Sequence, residues 1–252
     1  MNSRNVRAWT RYAIAAALVI VVLSPALWLV LMSLRPNTDI MATTLAFRPT
    51  LHNYAEAWTG EFPASFGHSL SASLASTVVS LLVGVPAAYV LARWRFRGQH
   101  QVAMWILVTR MAPPIAFTIP FFLGYTRLGL MDTVAGLALI YVTFNLALVI
   151  WTMKGFFDAV PRSLEEAAWI DGAASGILCF ILSWNDFFFA LILTRTEAMT
   201  APVAIVNFMQ YAGFEWGKIA AGGVSVMLPV LLFTVLVRRY LVSGLTAGGV
   251  KE

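Results

Sequence analysis

The chain has 252 residues, 60% of them hydrophobic and only 12% charged, with a formal net charge of +5. A soluble domain carries about 25% charged residues, so this composition excludes an ordinary water-soluble fold, and the mean hydropathy of +0.77 agrees. The positive charge does not indicate a nucleic-acid partner, because the basic residues sit in short stretches beside apolar runs, the pattern of membrane topology.

Six apolar runs approach the roughly 20 residues that cross a bilayer as helix. They cover residues 12–34, 69–92, 102–125, 134–153, 177–193 and 219–237. A spanning backbone must satisfy its own hydrogen bonds, so the runs predict helices. The first follows Arg4, Arg7 and Arg11, as a signal peptide would. It is too long for a signal core and lacks a small-residue cleavage site, so it reads as an uncleaved anchor. The lone Cys179 lies in an apolar run and cannot form an internal disulfide.

Orientation follows from Lys and Arg. Arg4, Arg7, Arg11, Arg93, Arg95, Arg97, Lys154, Arg162, Arg238, Arg239 and Lys251 fall on one side, against Arg35, Arg48, Arg127, Arg195 and Lys218 on the other. The richer side is cytoplasmic by the positive-inside rule. The expectation is an all-α membrane protein of six transmembrane helices with both termini cytoplasmic. Residues 1–252 form one domain, with outer loops at about 35–68 and 194–218 and a cytoplasmic loop at about 154–176. Six spans without internal duplication hint at half of a two-part translocator.

The cytoplasmic loop contains "SLEEAAWIDGAASG", residues 163–176. Pro161 suits a first helical turn, and Ser163 with Glu166 has capping-box spacing. Leu164, Ala167, Ala168 and Trp169 offer a small apolar surface, and Gly172 permits a turn that other residues resist. A short exposed helix ended by a bend is expected. One reading is a loop helix lying on the membrane. Interfacial helices usually carry Lys or Arg on the polar face; Glu165, Glu166 and Asp171 make this one acidic, which favours a protein groove instead.

"EEAAWIDGA" resembles the EAA loop of ABC importer permeases at Glu166, Ala167, Ala168 and Gly172. The segments 113–133, 145–173, 183–194 and 238–252 resemble permeases of maltose/trehalose-type sugar importers, and more closely the second permease of the pair. The resemblance implies that Glu165, Glu166, Ala167, Ala168, Asp171 and Gly172 form a coupling helix docked on a cytoplasmic ATPase, whose closure drives alternating access. It implies a heterodimer with a second permease, two ATPase subunits and an extracellular sugar-binding lipoprotein. No cofactor is expected on this chain, with ATP and magnesium on the partner ATPase, and the place is a bacterial cell membrane. The chain departs from the family pattern after Gly172. No Leu-Pro follows "AASGILCFI", and roughly 20 residues of the family pattern are lacking, which leaves a fifth span near the ~17-residue lower limit.

Arg110 and Asp186 lie inside predicted spans, where charges are costly and usually face a cavity or each other. With Asn145, Trp184 and Asn185 they are candidates to line a sugar pathway; a buried structural pair without ligand is the alternative. In the outer loop, Phe208, Tyr211, Phe214 and Trp216 are candidates for binding-protein contact, because aromatics anchor interfaces. "GFEWGKI" (213–219) is one residue short of a phosphate loop and has Ile where Ser or Thr would reach magnesium. His52, His68 and His100 are scattered, with no metal spacing. The sequence therefore predicts a non-enzymatic permease subunit importing a disaccharide such as trehalose or maltose. Another solute, such as glycerol phosphate or a longer glucan, is the same-class alternative. A secondary transporter would want a duplicated half, and a membrane enzyme would want clustered carboxylates or histidines.

Overall fold

The computed structural model describes residues 3–40, 46–159, 168–210 and 213–247. It contains helices α1 (Ser3–Ser33), α2 (His52–Ala57), α3 (Phe62–Arg93), α4 (Gln99–Met111), α5 (Thr118–Leu128), α6 (Val134–Ala159), α7 (Ala168–Trp184), α8 (Phe188–Leu193), α9 (Ala201–Val206) and α10 (Trp216–Ala247). A small antiparallel hairpin pairs β1 (Met209–Gln210) with β2 (Gly213–Phe214). The chain divides into two units. The first comprises Met1–Gly60 and Ile205–Met227, the second Glu61–Ala204 and Leu228–Glu252.

In the first unit, α1 exposes Ile14, Leu18, Val22 and Leu27, as a lipid-facing helix does. Its last carbonyls have no intrahelical donor. Asn53, buried at the start of α2, supplies one: its Nδ2 donates to the carbonyls of Ser33 (2.9 Å) and Arg35 (2.7 Å). Gly217 in α10 makes room for that amide, since a Cβ there would stand 2.6 Å from Asn53. Trp58 Nε1 donates to Ser225 Oγ (3.1 Å). The small-residue face around Gly222 and Gly223 is a packing face, set against Ile205, Phe208 and Leu29.

In the second unit, α3 packs along α6 and α7. It buries Ser65, Ser69, Ala72, Ser73, Ser76, Thr77, Ser80, Gly84 and Ala88 on one face. Small residues let helices approach closely where water supplies no driving force. At Gly84 a Cβ would lie 2.7 Å from Val149 Cγ1. Ala88, Val149, Met153, Phe157 and Cys179 form a dry cluster nearby.

Two expected spans prove to be broken. The run 102–125 becomes α4 and then a 3₁₀ turn (Pro114–Phe117) leading into α5, and the two arms bend by 95°. Pro113 and Pro114 explain the break: proline lacks the N–H and restricts the residue before it. The run 177–193 stops at Trp184 and resumes as α8. Among the described residues, four helices are long and apolar enough to cross a membrane, and the bent pair would make a fifth.

Gly172 departs from expectation as well. It lies inside α7, with no bend, because a helical glycine costs only about 1 kcal/mol against alanine and its neighbours favour helix.

Candidate substrate cleft

The two helix breaks meet at a cleft in the second unit. It encloses about 240 Å³ and is lined by Arg110, Pro114, Tyr141, Phe144, Asn145, Leu182, Ser183, Asp186 and Phe189. Pro114 belongs to one break and Asp186 to the other. Irregular backbone inside a membrane protein is tolerated where it is buried in protein or lines a cavity.

Asp186 does two things at the second break. Its Oδ2 accepts the backbone N–H groups of Phe189 (3.1 Å) and Ala190 (3.2 Å), capping the short α8. The same carboxylate lies beside the Tyr141 hydroxyl, which is buried and makes no well-formed hydrogen bond among the described residues. Asn145 is held from below: its Nδ2 donates to Ser183 Oγ (2.7 Å) and to the Cys179 carbonyl (3.4 Å). Ser183 Oγ in turn shares a hydrogen bond with Ser76 Oγ (2.9 Å), so one polar chain ties α3, α6 and α7 together. Phe144 and Phe189 stack at 4.8 Å to form an apolar wall.

Arg110, Asn145 and Asp186 therefore share one cleft, and two other candidates lie outside it. Trp184 is fully buried in the core, against Phe66 and Phe180. Asn185 is exposed and turns its Nδ2 back to the Ile181 carbonyl (2.8 Å). Arg110 and Asp186 line the same cleft but form no ion pair among the described residues. The hydroxyl of Tyr141 and the stacked phenylalanines are not apparent from the sequence, because apolar runs give no register for side chains 45 residues apart.

Of the coupling candidates, Glu165, Glu166 and Ala167 lie outside the described residues. Ala168 opens α7, and Asp171 and Gly172 follow in it. In the outer loop, Phe208 is buried, with Lys218 Nζ 4.7 Å from its ring centre. Phe214 and Trp216 are exposed and stack at 5.0 Å beside the hairpin. Tyr211 lies outside the described residues.

Asp132, in the α5–α6 turn, went unremarked in the sequence. Its Oδ1 accepts the N–H groups of Arg195 (2.7 Å) and Ala198 (3.0 Å), and its Oδ2 those of Thr196 (3.0 Å) and Glu197 (3.1 Å). Partial burial pushes its pKa up, but the four backbone donors outweigh that and bring it down to about 2.

A bundle of apolar helices, two of them broken around a polar cleft, is the build of a membrane transport permease. No family profile matches the chain. The trehalose transport system permease protein SugB of Mycobacterium tuberculosis is 36% identical, with both chains fully covered. The trehalose/maltose transport system permease protein MalG of Thermococcus litoralis is 30% identical over 94% of each chain. A crystal structure of a bacterial ABC transporter that imports the acidic polysaccharide alginate has a chain of the same fold, with TM-score 0.77 and 21% identity over 95% of this chain and 98% of that one. This chain belongs to the permease family of ABC sugar importers, integral proteins of the cell membrane.

Proposed function

We propose that this chain is one of two permease subunits of an ATP-driven importer for a disaccharide of the trehalose or maltose class. The observation that carries the reading is the cleft. A carboxylate, an anchored amide, a tyrosine hydroxyl and a guanidinium converge beside stacked phenylalanines, which suits the polar edges and apolar faces of a sugar ring. Its volume of about 240 Å³ is below the ~300 Å³ floor of ordinary ligand sites. It is one wall of a pathway, completed by the second permease.

In this reading both termini and the EAA loop are cytoplasmic, and Glu165 to Gly172 dock on the ATPase that holds ATP and magnesium. Phe214 and Trp216 meet the extracellular binding protein. The names of the full-length relatives support the disaccharide class; glycerol phosphate or a longer glucan is the second reading. The alignment to SugB runs over 276 positions, 24 more than the 252 residues of this chain, in keeping with a segment of roughly 20 residues omitted from the sequence after Gly172. A purified chain of 27.6 kDa would establish the short form, and a heavier one would show an additional segment.

The test is ATP hydrolysis by the complete complex in lipid vesicles, with binding protein and a panel of sugars. Stimulation by one disaccharide establishes the importer and its cargo. No stimulation by any sugar, with the ATPase still bound, keeps the permease and discards the sugar. An ATPase lost on Glu166→Lys or Gly172→Pro places the coupling site.

A further inference from the structure

Asp132 holds a segment more than sixty residues away, and that contact has consequences for how an outer loop is carried. The residue sits in the short turn between α5 and α6. Gly129 ends α5 with φ of 66°, and Asp132 itself has φ of 54°, a left-handed conformation that Asp and Asn tolerate better than other side chains. Its backbone N–H donates to the carbonyl of Leu193, the last residue of α8 (2.8 Å). Its carboxylate then gathers the four successive N–H groups of residues 195–198. Charge-assisted bonds of this kind are the strong ones. Immediately beyond, the Met199 carbonyl meets His68 Nδ1 (3.2 Å), and the Ala201 N–H donates to Ser69 Oγ (2.8 Å). Residues 193, 195–199 and 201 are thus each held by a group earlier in the chain.

The clamp joins the elements that line the cleft. Phe189 is one helical turn before Leu193 on α8, and Tyr141 is two turns into α6, at about 1.5 Å per residue. We propose that Asp132 is a positioning residue. Its carboxylate fixes the base of the outer loop to the turn preceding α6, so that α6, α8 and the loop's first residues, 195–201, move as one body and a pull on that base reaches the cleft. This rests on the reading above, in which the outer loop faces the binding protein.

Asp132→Asn keeps size and left-handed tolerance but removes the charge and half the acceptor capacity. Thr133→Ala is the control. It removes the Thr133 Oγ1 that accepts the Gly136 N–H (3.0 Å) and caps α6, in the same turn, without touching the carboxylate. Both are assembled into the full complex in vesicles, with full-length binding protein loaded with trehalose or, separately, maltose. In D132N, amide exchange across 195–198 should quicken by at least about tenfold, as expected for losing a charged hydrogen bond. Basal ATP hydrolysis should stay within about twofold, while half-saturation by binding protein rises at least about fivefold. T133A should leave half-saturation unchanged. Faster exchange with unaltered half-saturation overturns the proposal and leaves a structural clamp. Basal and stimulated rates falling in proportion also overturn it, as does unchanged exchange. If the unmodified complex answers to no binding protein, the importer reading itself fails, and the exchange measurement separates that result from failure of the clamp.

Discussion

Substituting Gly84 by alanine tests the closest helix approach in the second unit. The added Cβ would stand 2.7 Å from Val149 Cγ1, 2.9 Å from Val149 Cβ and 3.4 Å from Leu146 Cδ1. Val149 is fully buried and β-branched, so its χ1 has little freedom to move aside in a helix. The helices must therefore separate by several tenths of an ångström, and overpacking of this kind costs about 1–3 kcal/mol. Gly176 offers the internal contrast. There a Cβ would approach Leu81 Cδ1 at 2.9 Å, the far end of a flexible side chain. The leucine can rotate, and alanine recovers roughly 1 kcal/mol of helix propensity, so G176A should be neutral or stabilising. Val149→Ala alone should cost about 1–3 kcal/mol through lost packing. Combined with G84A it restores volume, and the double variant should cost less than the sum by about 1 kcal/mol or more. Reversible unfolding in mixed micelles reads all four variants. The reasoning is refuted if G84A is as mild as G176A, or if G84A and V149A add within about 0.5 kcal/mol.

Gly217→Ala should displace Asn53 from the carbonyls of Ser33 and Arg35, costing about 1–3 kcal/mol for unmet buried groups, read by the same unfolding assay. Ser183→Ala removes the hydroxyl shared by Asn145 and Ser76 and should cost about 1 kcal/mol, the usual scale for a hydrogen bond between membrane helices. Asp132 has a folded pKa of about 2, below its ordinary 3.8, so its stabilisation is complete above about pH 4 and is lost as pH falls toward 2. The melting-temperature gap between wild type and D132N should close over that window; a gap independent of pH would contradict the assignment. Replacing Phe214 and Trp216 together by alanine should weaken binding-protein affinity at least about tenfold in a pull-down titration while leaving the melting temperature unchanged.

The membrane character and the positions of most spans were legible because composition and length are local properties of the chain. The break at Pro113 and Pro114 is also local, yet the continuous apolar run 102–125 hides it, because hydropathy does not mark where a helix ends. Other features depend on partners far away in sequence. Asp132 reads as an ordinary turn residue until the N–H groups of 195–198 arrive beside it. Trp184 and Asn185 flank a polar break and looked like pathway residues; helical rotation sends one into the core and the other outward. Phe208 looked like a surface aromatic, but it is buried.

The two breaks answer each other. Pro113 and Pro114 open the first helix because they cannot donate hydrogen bonds. Asp186 makes the second affordable because it can accept them, from Phe189 and Ala190. A helix broken in an apolar setting leaves N–H groups that cost several kcal/mol each unless something accepts them. Asp186 meets that need with a carboxyl group, where a serine or an asparagine would have served a purely structural cap. Such a group is costly to keep ionised away from water. The cost is partly offset by two backbone donors, and the group faces a cleft that also holds Tyr141 and Arg110. A carboxylate retained where a neutral cap would suffice argues that the cleft uses its polarity. Asp186→Asn separates the two roles: it keeps an oxygen for the cap, so α8 should survive in amide exchange while sugar-stimulated transport falls. If transport is undiminished, the carboxylate is a cap and nothing more.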